Sequence, residues 1–129
     1  MSIQSAPIIF QRQIYKSVDV RVTVVGKNVF AAAIHSQARE ETRVDWRNGS
    51  DILLRHTVIT LPEAISQQCV ALTEKFGLRF AAIDLIKDRD GEYWFLEINP
   101  NGQWAWIENL TGLPIAAAIV DELVAISKW

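Results

Sequence analysis

The sequence predicts an α+β fold in which helices pack on a mostly antiparallel sheet. Residues 18–25 alternate apolar and polar side chains, which is the two-residue period of a half-buried strand. Turn-forming sequences stand at residues 26–28 and 88–91, so the apolar runs on either side are expected to fold back as antiparallel pairs. Residues 62–76 and 114–127 instead repeat apolar side chains every three or four positions, as a helix with one buried face does.

The predicted elements follow along the chain in the order β-β-β-β-α-β-β-α-α. Six strands are predicted, at residues 8–15, 18–25, 29–35, 52–59, 79–87 and 93–99. Residues 36–50 are polar and form the longest irregular stretch, which favours a functional loop over a simple connection. A short helix is expected near residues 103–110, after the Asn-Pro-Asn-Gly turn.

The longer helices have predicted ends and inward faces. Residues 60–63, Thr-Leu-Pro-Glu, resemble a capping box with an early proline, and Gly77 is expected to end that helix. Its inward side chains are predicted to be Ile65, Cys69, Leu72 and Phe76. Those of the last helix are predicted to be Ile115, Ile119, Leu123 and Ile126.

The composition suits one folded domain, because half of the 129 residues are hydrophobic. Thirteen basic and fifteen acidic residues give a net charge of −2, which predicts neither nucleic-acid nor membrane binding. The single cysteine, Cys69, excludes a disulfide framework and suits a reducing compartment, so a cytoplasmic location is expected. No apolar run approaches the roughly 20 residues of a membrane span, and no signal peptide is recognisable.

Three oxygen-bearing side chains stand out around the second predicted hairpin: Asp84, Glu97 and Asn99. Closing this hairpin with a four-residue loop pairs Asp88 with Tyr93, and therefore places Asp84 opposite Glu97. Alternation along the second strand is expected to place four side chains on one face, namely Tyr93, Phe95, Glu97 and Asn99.

This arrangement predicts a magnesium site. Two facing carboxylates on a largely apolar sheet repel each other, and a hard cation removes that cost. Asp, Glu and Asn all offer oxygen ligands, which Mg²⁺ prefers, and substrate phosphates complete its coordination. The alternative is a solvated face on which Glu97 pairs with an arginine. The apolar neighbours of Glu97, and the Pro100 that ends the strand, favour the metal site.

Arg21 is the candidate partner for an anion. It lies in an apolar strand between Val20 and Val22, so it either extends its charge to solvent or binds an anion. No glycine-rich phosphate loop is present, so phosphate would be held by side-chain cations and metal. The two histidines, His35 and His56, show no metal-ligand spacing and are interpreted as structural or surface residues.

Two segments carry a resemblance to a known family. The sequence FAAIDLIKDRDGEYWFLEINPNGQW resembles the carboxy-terminal signature of ATP-grasp ligases, an Asp followed by a hairpin and Glu-x-Asn. The sequence VDVRVTVVGKNVFAAAIHSQ, followed by VDWR, is most similar to the peptide-modifying branch, the microviridin-type graspetide maturases. Ribosomal-protein glutamate ligases are the next relatives. The similarity runs from about Pro7 to the last helix, and implies the carboxy-terminal subdomain of the ATP-grasp fold.

The resemblance implies a role for individual residues. Asp84, Glu97 and Asn99 match the Mg²⁺ ligands, with Glu97 bridging two ions between the ATP phosphates. Arg21 matches the arginine that faces the phosphates and the acyl-phosphate intermediate, and Arg47 matches the loop near the triphosphate. Asp19 is a candidate for ribose contact. The hinge that reads the adenine edge through its backbone matches Gln11, Arg12, Gln13 and Ile14, although the acidic residue frequent there is missing.

The resemblance also implies a partial domain and a reaction. Such ligases normally carry an amino-terminal domain and a lysine-bearing small subdomain, so residues 1–129 are expected to be a carboxy-terminal portion that is inactive alone. The implied activity joins a peptide or protein carboxylate to an amine or alcohol, using ATP, Mg²⁺ and an acyl phosphate, to form ester or amide cross-links in a ribosomal peptide. The partial domain also implies a partner, either a missing half or a second copy in a homodimer. The alternatives are a non-catalytic peptide- or nucleotide-binding remnant and a glutamate ligase acting on a protein terminus.

Overall fold

A five-stranded antiparallel sheet carries the described part of the chain, residues 16–35 and 55–127 of a computed structural model. Its elements, in chain order, are β1 (Lys16–Val25), β2 (Asn28–Ile34), β3 (His56–Ile59), α1 (Glu63–Lys75), β4 (Phe80–Asp88), β5 (Tyr93–Asn99), α2 (Ala105–Thr111) and α3 (Ile115–Ser127). This architecture confirms the predicted α+β class. The strand predicted at residues 8–15 and the loop predicted at residues 36–50 lie outside the described residues.

The strands lie in the order β3-β2-β1-β4-β5, and every neighbouring pair is antiparallel. Strands β1 and β4 therefore occupy the centre, and their pairing runs from Val25 opposite Phe80 to Lys16 opposite Asp88. Because each central strand has a neighbour on both sides, its backbone groups are hydrogen-bonded within the sheet. These two strands supply most of the buried side chains.

Alternation along the strands divides the sheet into two faces. On one side, α1 covers a core that includes Val22, Ile83 and Cys69, and we call this side the α1 face. On the opposite side, α2 and α3 cover a second core through Ile107 and Ile115, and we call this side the α2 face. The helices thus bury their apolar side chains against both sides of the same strands, α1 on one side and α2 with α3 on the other.

The hairpin between β4 and β5 closes one residue earlier than predicted. Lys87, and not Asp88, pairs with Tyr93, and the backbone N–H of Asp88 donates to the carbonyl oxygen of Glu92 at 2.9 Å, so the connection is tighter than the predicted four-residue loop. The Asp88 side chain instead organises this loop, because its Oδ1 accepts the backbone N–H groups of Asp90 and Glu92, each at 2.9 Å. A carboxylate that accepts loop N–H groups in this way stabilises a tight connection.

A β-bulge then restores the pairing on which the predicted site depends. Leu85 pairs with Phe95, whereas the preceding residue, Asp84, pairs with Glu97. Leu96 is therefore the extra residue of the bulge. The predicted position of Asp84 opposite Glu97 is confirmed, although the two compensating irregularities that produce it were not predicted.

The bulge contradicts the prediction that four side chains of β5 share one face. A single extra residue moves every following side chain to the other side of the sheet. Tyr93 and Phe95 pack against the core of the α1 face. Glu97 follows the bulge and, opposite Asp84, lies on the α2 face together with Asn99.

The start of α1 does not use the predicted capping box. Its N-cap residue is Pro62, and no side chain hydrogen-bonds to the exposed N–H groups of the first turn. The carbonyl oxygen of Pro62 accepts the backbone N–H of Ser66 at 3.0 Å, which begins the helical hydrogen-bond pattern. The capping-box prediction was therefore wrong, because the N-cap residue is a proline, which lacks the side-chain oxygen that capping requires.

The end of α1 confirms the role of Gly77 and corrects that of Phe76. Gly77 has φ +72°, the left-handed conformation that commonly ends helices. Phe76 is the C-cap residue and is 60% exposed, because the chain turns away at this point. Thr73 takes the buried position instead, and its hydroxyl donates to the carbonyl oxygen of Cys69 at 2.8 Å.

Helix α3 confirms the predicted inward positions of Ile115 and Ile119 but not that of Leu123. Ile115 and Ala118 are buried, but Leu123 is 60% exposed. The inward position beside it belongs to Glu122, whose Oε2 accepts a hydrogen bond from Arg79 Nη1 at 2.9 Å. Within the described ranges, no helix combines the length and apolar character needed to cross a membrane.

Candidate functional site

A buried ion pair lies at the centre of the sheet, on the α2 face. Arg21 of β1 stands directly opposite Asp84 of β4, and its Nε donates to Asp84 Oδ1 at 2.7 Å. The two residues are only 7% and 4% exposed. A charge withdrawn from water in this way needs its partner, because removal of either one leaves the other uncompensated. Arg21 and Asp84 therefore do not belong to a solvated face.

Glu97 adds a second carboxylate at the boundary with solvent. It stands opposite Asp84 on β5, is itself exposed, and shares a side-chain hydrogen bond with Asp84. Burial raises the pKa of the Asp84 carboxyl; the Arg21 guanidinium opposes that rise, and Glu97 adds to it. A proton or a cation between the two carboxylates relieves their repulsion. The structure thus pairs the arginine with Asp84, whereas the alternative prediction paired it with Glu97.

Asn99 completes the row of oxygen-bearing side chains at the end of β5. It stands opposite Ala82, and it is exposed like Glu97. Its Oδ1 accepts the backbone N–H of Asn101 at 2.8 Å, which orients the side chain and begins the turn that follows. A carbonyl oxygen has two lone pairs, so this hydrogen bond leaves capacity for a further interaction.

The turn after Asn99 folds back over the α2 face and closes against Arg21. Gly102 lies so near the sheet that a Cβ added to it would stand 2.2 Å from the Cβ of Ala82 and 3.6 Å from Arg21 Nη1. Only glycine permits this close approach. The next residue, Gln103, accepts a hydrogen bond from Arg21 Nη1 through its backbone oxygen at 3.1 Å.

Trp106 covers Arg21 from α2, and the sequence did not predict this contact. The guanidinium carbon of Arg21 lies 5.9 Å from the centroid of the Trp106 ring, within the range of a cation–π interaction. Trp104 and Trp106 also pack against the core of the α2 face, as expected for tryptophans next to the last helix. A local pattern does not reveal which of two neighbouring tryptophans meets an arginine from a distant strand.

The remaining predicted site residues are only partly described. Asp19 lies two residues before Arg21 on the same face, opposite Ile86, and is 2% exposed. The structure therefore brings Asp19 beside the cluster but in a buried position. The other predicted nucleotide contacts lie outside the described residues: Gln11, Arg12, Gln13, Ile14 and Arg47.

The histidines support the structural interpretation. His35 Nε2 is 3.0 Å from the hydroxyl oxygen of Thr57 on the neighbouring strand. The pKa of His35 is lowered, first by burial and then by the charge of Arg55. His56 meets the edge of the Trp106 ring, with 5.0 Å between ring centroids. Both histidines therefore contribute contacts within the fold.

The oxygen-bearing side chains of the site fit a magnesium ion whose remaining coordination positions are filled by other ligands. Residues 16–35 and 55–127 contain no group of three or more His, Cys, Asp or Glu side chains able to hold a metal. Mg²⁺, however, is usually held through one or two carboxylates, with phosphates and water in the remaining positions. Asp84 and Glu97 would supply the two carboxylates, and Asn99, on the same face, would supply a neutral oxygen.

Comparison with known proteins decides the family. A profile of the RimK-like ATP-grasp domain matches residues 1–123. The chain belongs to this ATP-grasp family. A probable alpha-L-glutamate ligase of Haemophilus influenzae is 31% identical over 103 residues, which are 80% of this chain and 32% of that protein. The chain spans about a third of the length of such curated relatives.

Solved ATP-grasp structures share the same fold. The RiPP-associated ATP-grasp ligase of Chryseobacterium gregarium, in complex with ADP and a leader and core peptide, has a TM-score of 0.82 and 34% identity; the match covers 89% of this chain and 35% of that one. The macrocyclase MdnC of Microcystis aeruginosa, bound to precursor peptide MdnA, has a TM-score of 0.70 and 36% identity, with coverages of 88% and 32%. The predicted ATP-grasp resemblance, including its peptide-modifying branch, is confirmed.

Proposed function

We propose that the chain supplies the phosphate- and metal-binding part of an ATP-dependent ligase that joins a carboxylate to an amine or an alcohol. The observation that carries this proposal is the buried Arg21–Asp84 pair, which stands beside Glu97 at the solvent boundary. Groups that attract a cation and a group that attracts an anion lie side by side here. The carboxylates attract Mg²⁺, and the guanidinium attracts a phosphoryl group.

The proposed reaction has two steps. A substrate carboxylate oxygen attacks the γ-phosphorus of ATP, and the bond to the ADP oxygen breaks, which gives an acyl phosphate and ADP. A hydroxyl or amine then attacks the acyl carbon, loses its proton and releases inorganic phosphate. Mg²⁺ held at this site would supply positive charge that offsets the charge of the phosphates. Two ions are proposed, held by Asp84, Glu97 and Asn99.

In this mechanism the charged side chains of the site position positive and negative charge around the phosphate. Arg21 hydrogen-bonds the phosphoryl oxygens and offsets their negative charge, which is worth most at a site partly withdrawn from water. Asp84 holds Arg21 through its Nε and contributes an oxygen to the metal site. Contacts to the nucleotide are proposed for Asp19, Arg47 and residues 11–14.

The substrate is proposed to be a ribosomal peptide whose Asp or Glu side chain becomes an ester or amide cross-link. Support comes from the two solved relatives, which were captured with leader and core or precursor peptides. The second candidate is a glutamate ligase acting on a protein terminus, and the curated relatives favour it. In either case residues 1–129 are proposed as the carboxy-terminal portion of an ATP-grasp domain.

Nucleotide binding tests the proposal directly. We expect calorimetric titration of ATP into the 129-residue chain to show binding that depends on Mg²⁺ and disappears with a chelator. Glu97→Ala should weaken Mg²⁺-dependent binding by at least about tenfold, because one metal ligand is lost. Glu74→Ala is the matched control, since Glu74 is an exposed acid paired only weakly with Lys27 at 3.5 Å.

Two results would contradict the proposal. Equal ATP affinity with and without Mg²⁺ would exclude the metal site, and unchanged affinity in Glu97→Ala would exclude the role of this carboxylate. Absence of any nucleotide binding would favour the non-catalytic alternative, in which the fold serves as a peptide-binding module. Titration of a precursor-type peptide in place of ATP then distinguishes that alternative.

A further inference from the structure

The guanidinium of Arg21 is held from three directions. Asp84 accepts a hydrogen bond from Nε at 2.7 Å, and the backbone oxygen of Gln103 accepts one from Nη1 at 3.1 Å. The ring of Trp106 lies 5.9 Å from the central carbon. Asp84 belongs to the sheet, whereas Gln103 and Trp106 belong to the segment that closes over it.

Trp106 is itself held in place by a residue of the edge strand β3. His56 of β3 meets it at a centroid distance of 5.0 Å with an interplanar angle of 84°, which is an edge-to-face contact. Trp106 also packs against the core of the α2 face. Its ring plane is therefore defined by contacts that do not involve Arg21.

The orientation of Arg21 matters for any phosphate that approaches it. A guanidinium is planar and presents its N–H donors in a fixed fork, so its value as a phosphate ligand depends on the direction of that plane. One hydrogen bond at Nε fixes a point of the group, and the second bond together with an aromatic surface fixes its plane. Preorganised donors stabilise developing charge without reorganising when the reaction takes place.

We propose that Trp106 is a positioning residue, which fixes the guanidinium plane of Arg21 for contact with a phosphoryl group. This inference rests on the proposed function, in which Arg21 is the phosphate-facing cation. Trp106 acts through Arg21 and does not touch the substrate. Trp104 stands two residues earlier and packs against the same core, but it has no ring contact with Arg21 among the described contacts.

The first experiment measures the orientation of Arg21 without any nucleotide. In the ¹⁵N-labelled 129-residue chain, the Arg21 Nε–H resonance is assigned by its loss in Arg21→Lys, and its exchange with water is measured. Trp106→Leu should accelerate this exchange at least about threefold, whereas Trp106→Phe should preserve most of the protection because it retains an aromatic face. Trp104→Leu, the matched control, should leave it unchanged. Unchanged exchange in Trp106→Leu overturns the proposal.

The second experiment asks whether Trp106 affects phosphate binding through Arg21. Trp106→Leu should weaken binding of Mg²⁺–ATP by about threefold to thirtyfold in the chain with Arg21. In an Arg21→Lys background, the same change should cost less than about twofold, because lysine lacks the planar fork. Equal losses in both backgrounds overturn the proposal, since a merely structural tryptophan would act independently of Arg21.

The two experiments separate failure of this inference from failure of the proposed function. If the unmodified chain does not bind Mg²⁺–ATP, the proposed function fails, and the exchange measurement still decides whether Trp106 orients Arg21. If the chain binds Mg²⁺–ATP and Trp106→Leu changes neither exchange nor affinity, only the role of Trp106 is refuted.

Discussion

The two faces of the sheet are built from the same central strands but have different chemistry. On the α1 face, β1 and β4 present only apolar side chains at the centre: Val20, Val22, Val24, Ile83 and Leu85. On the α2 face, the alternate positions hold three buried charged residues: Asp19, Arg21 and Asp84. The comparison teaches that one strand pair can carry a continuous core and a charged cluster, because alternation keeps them on opposite sides.

Breaking the ion pair of the α2 face is expected to have the largest effect. Arg21→Met should lower the free energy of unfolding by about 3–5 kcal/mol, because the carboxylate of Asp84 stays buried without its partner. Urea denaturation measures this loss. The double variant Arg21→Met with Asp84→Leu should recover most of it, since a well-packed apolar pair can replace a buried ion pair. A loss in the single variant below about 1 kcal/mol would contradict the burial of the pair.

A truncation on the α1 face provides the contrasting case. Ile83→Ala should cost about 3 kcal/mol, through lost burial and the cavity left behind. Ile83 is fully buried next to Asp84, on the opposite side of β4. Unlike Arg21→Met, this loss should not be recovered by Asp84→Leu, which the same denaturation experiment tests. Recovery there would mean that the two faces are coupled.

Gly102→Ala tests how tightly the turn closes over the α2 face. The added methyl group would overlap the Cβ of Ala82, so we expect a loss of about 1–3 kcal/mol through overpacking. Ala82→Gly in the same chain should relieve the overlap and restore part of the stability. Thermal denaturation of the single and double variants measures both changes. An equally destabilised double variant would show that the overlap is not the cause.

Two aspartates of β4 should give opposite dependences on pH. The pKa of Asp84 is raised in the folded chain, chiefly by burial, so its contribution to stability decreases as pH rises through that raised pKa. Burial alone would raise the pKa of Asp88 too, but hydrogen bonds from Trp94 and from loop N–H groups lower it overall. Its stabilising contribution is therefore present above the ordinary value of 3.8 and is lost as pH falls through the lowered pKa.

Unfolding measurements between about pH 3 and 7 check both signs. Relative to the unmodified chain, Asp84→Asn should become more favourable as pH rises, because it removes a carboxyl that is costly to ionise. Asp88→Asn should become less favourable over the same range. These slopes are the smallest of the four effects, and parallel curves for both variants would refute the assigned directions.

Local sequence patterns predicted the elements better than their registers. The alternation at residues 18–25 and the turn at residues 26–28 sufficed for the first hairpin, since both signals are short-range. The Asp84–Glu97 pairing was also predicted correctly, but for an incomplete reason. The tighter connection after Asp88 and the bulge at Leu96 shift the register in opposite senses, and neither leaves a distinctive residue pattern.

The long-range contacts of the site could not be predicted from the sequence. Arg21 and Asp84 are separated by 63 positions, and their strands pair only because the helix between them crosses the sheet. The apolar surroundings of Arg21 suggested that it binds an anion. They did not indicate that its partner would be the Asp84 carboxylate of the same chain. The contact with Trp106 depends on the turn at Gly102, whose close approach no local preference encodes. The catalytic and ligand roles assigned to these residues stay predictions.

The bulge at Leu96 limits how the second hairpin can change. Upstream of it Tyr93 and Phe95 pack against the core of the α1 face, and downstream Glu97 and Asn99 lie on the α2 face. Substitutions cannot exchange these two surfaces, because each position keeps its place in the alternation. Deletion of Leu96 cannot either, because it removes only the extra residue: Phe95 still packs against the core of the α1 face, and Glu97 still stands opposite Asp84. Deletion of the paired residue Ile98 would instead put Asn99 opposite Ile83 on the α1 face, so it should be more harmful than deletion of Leu96.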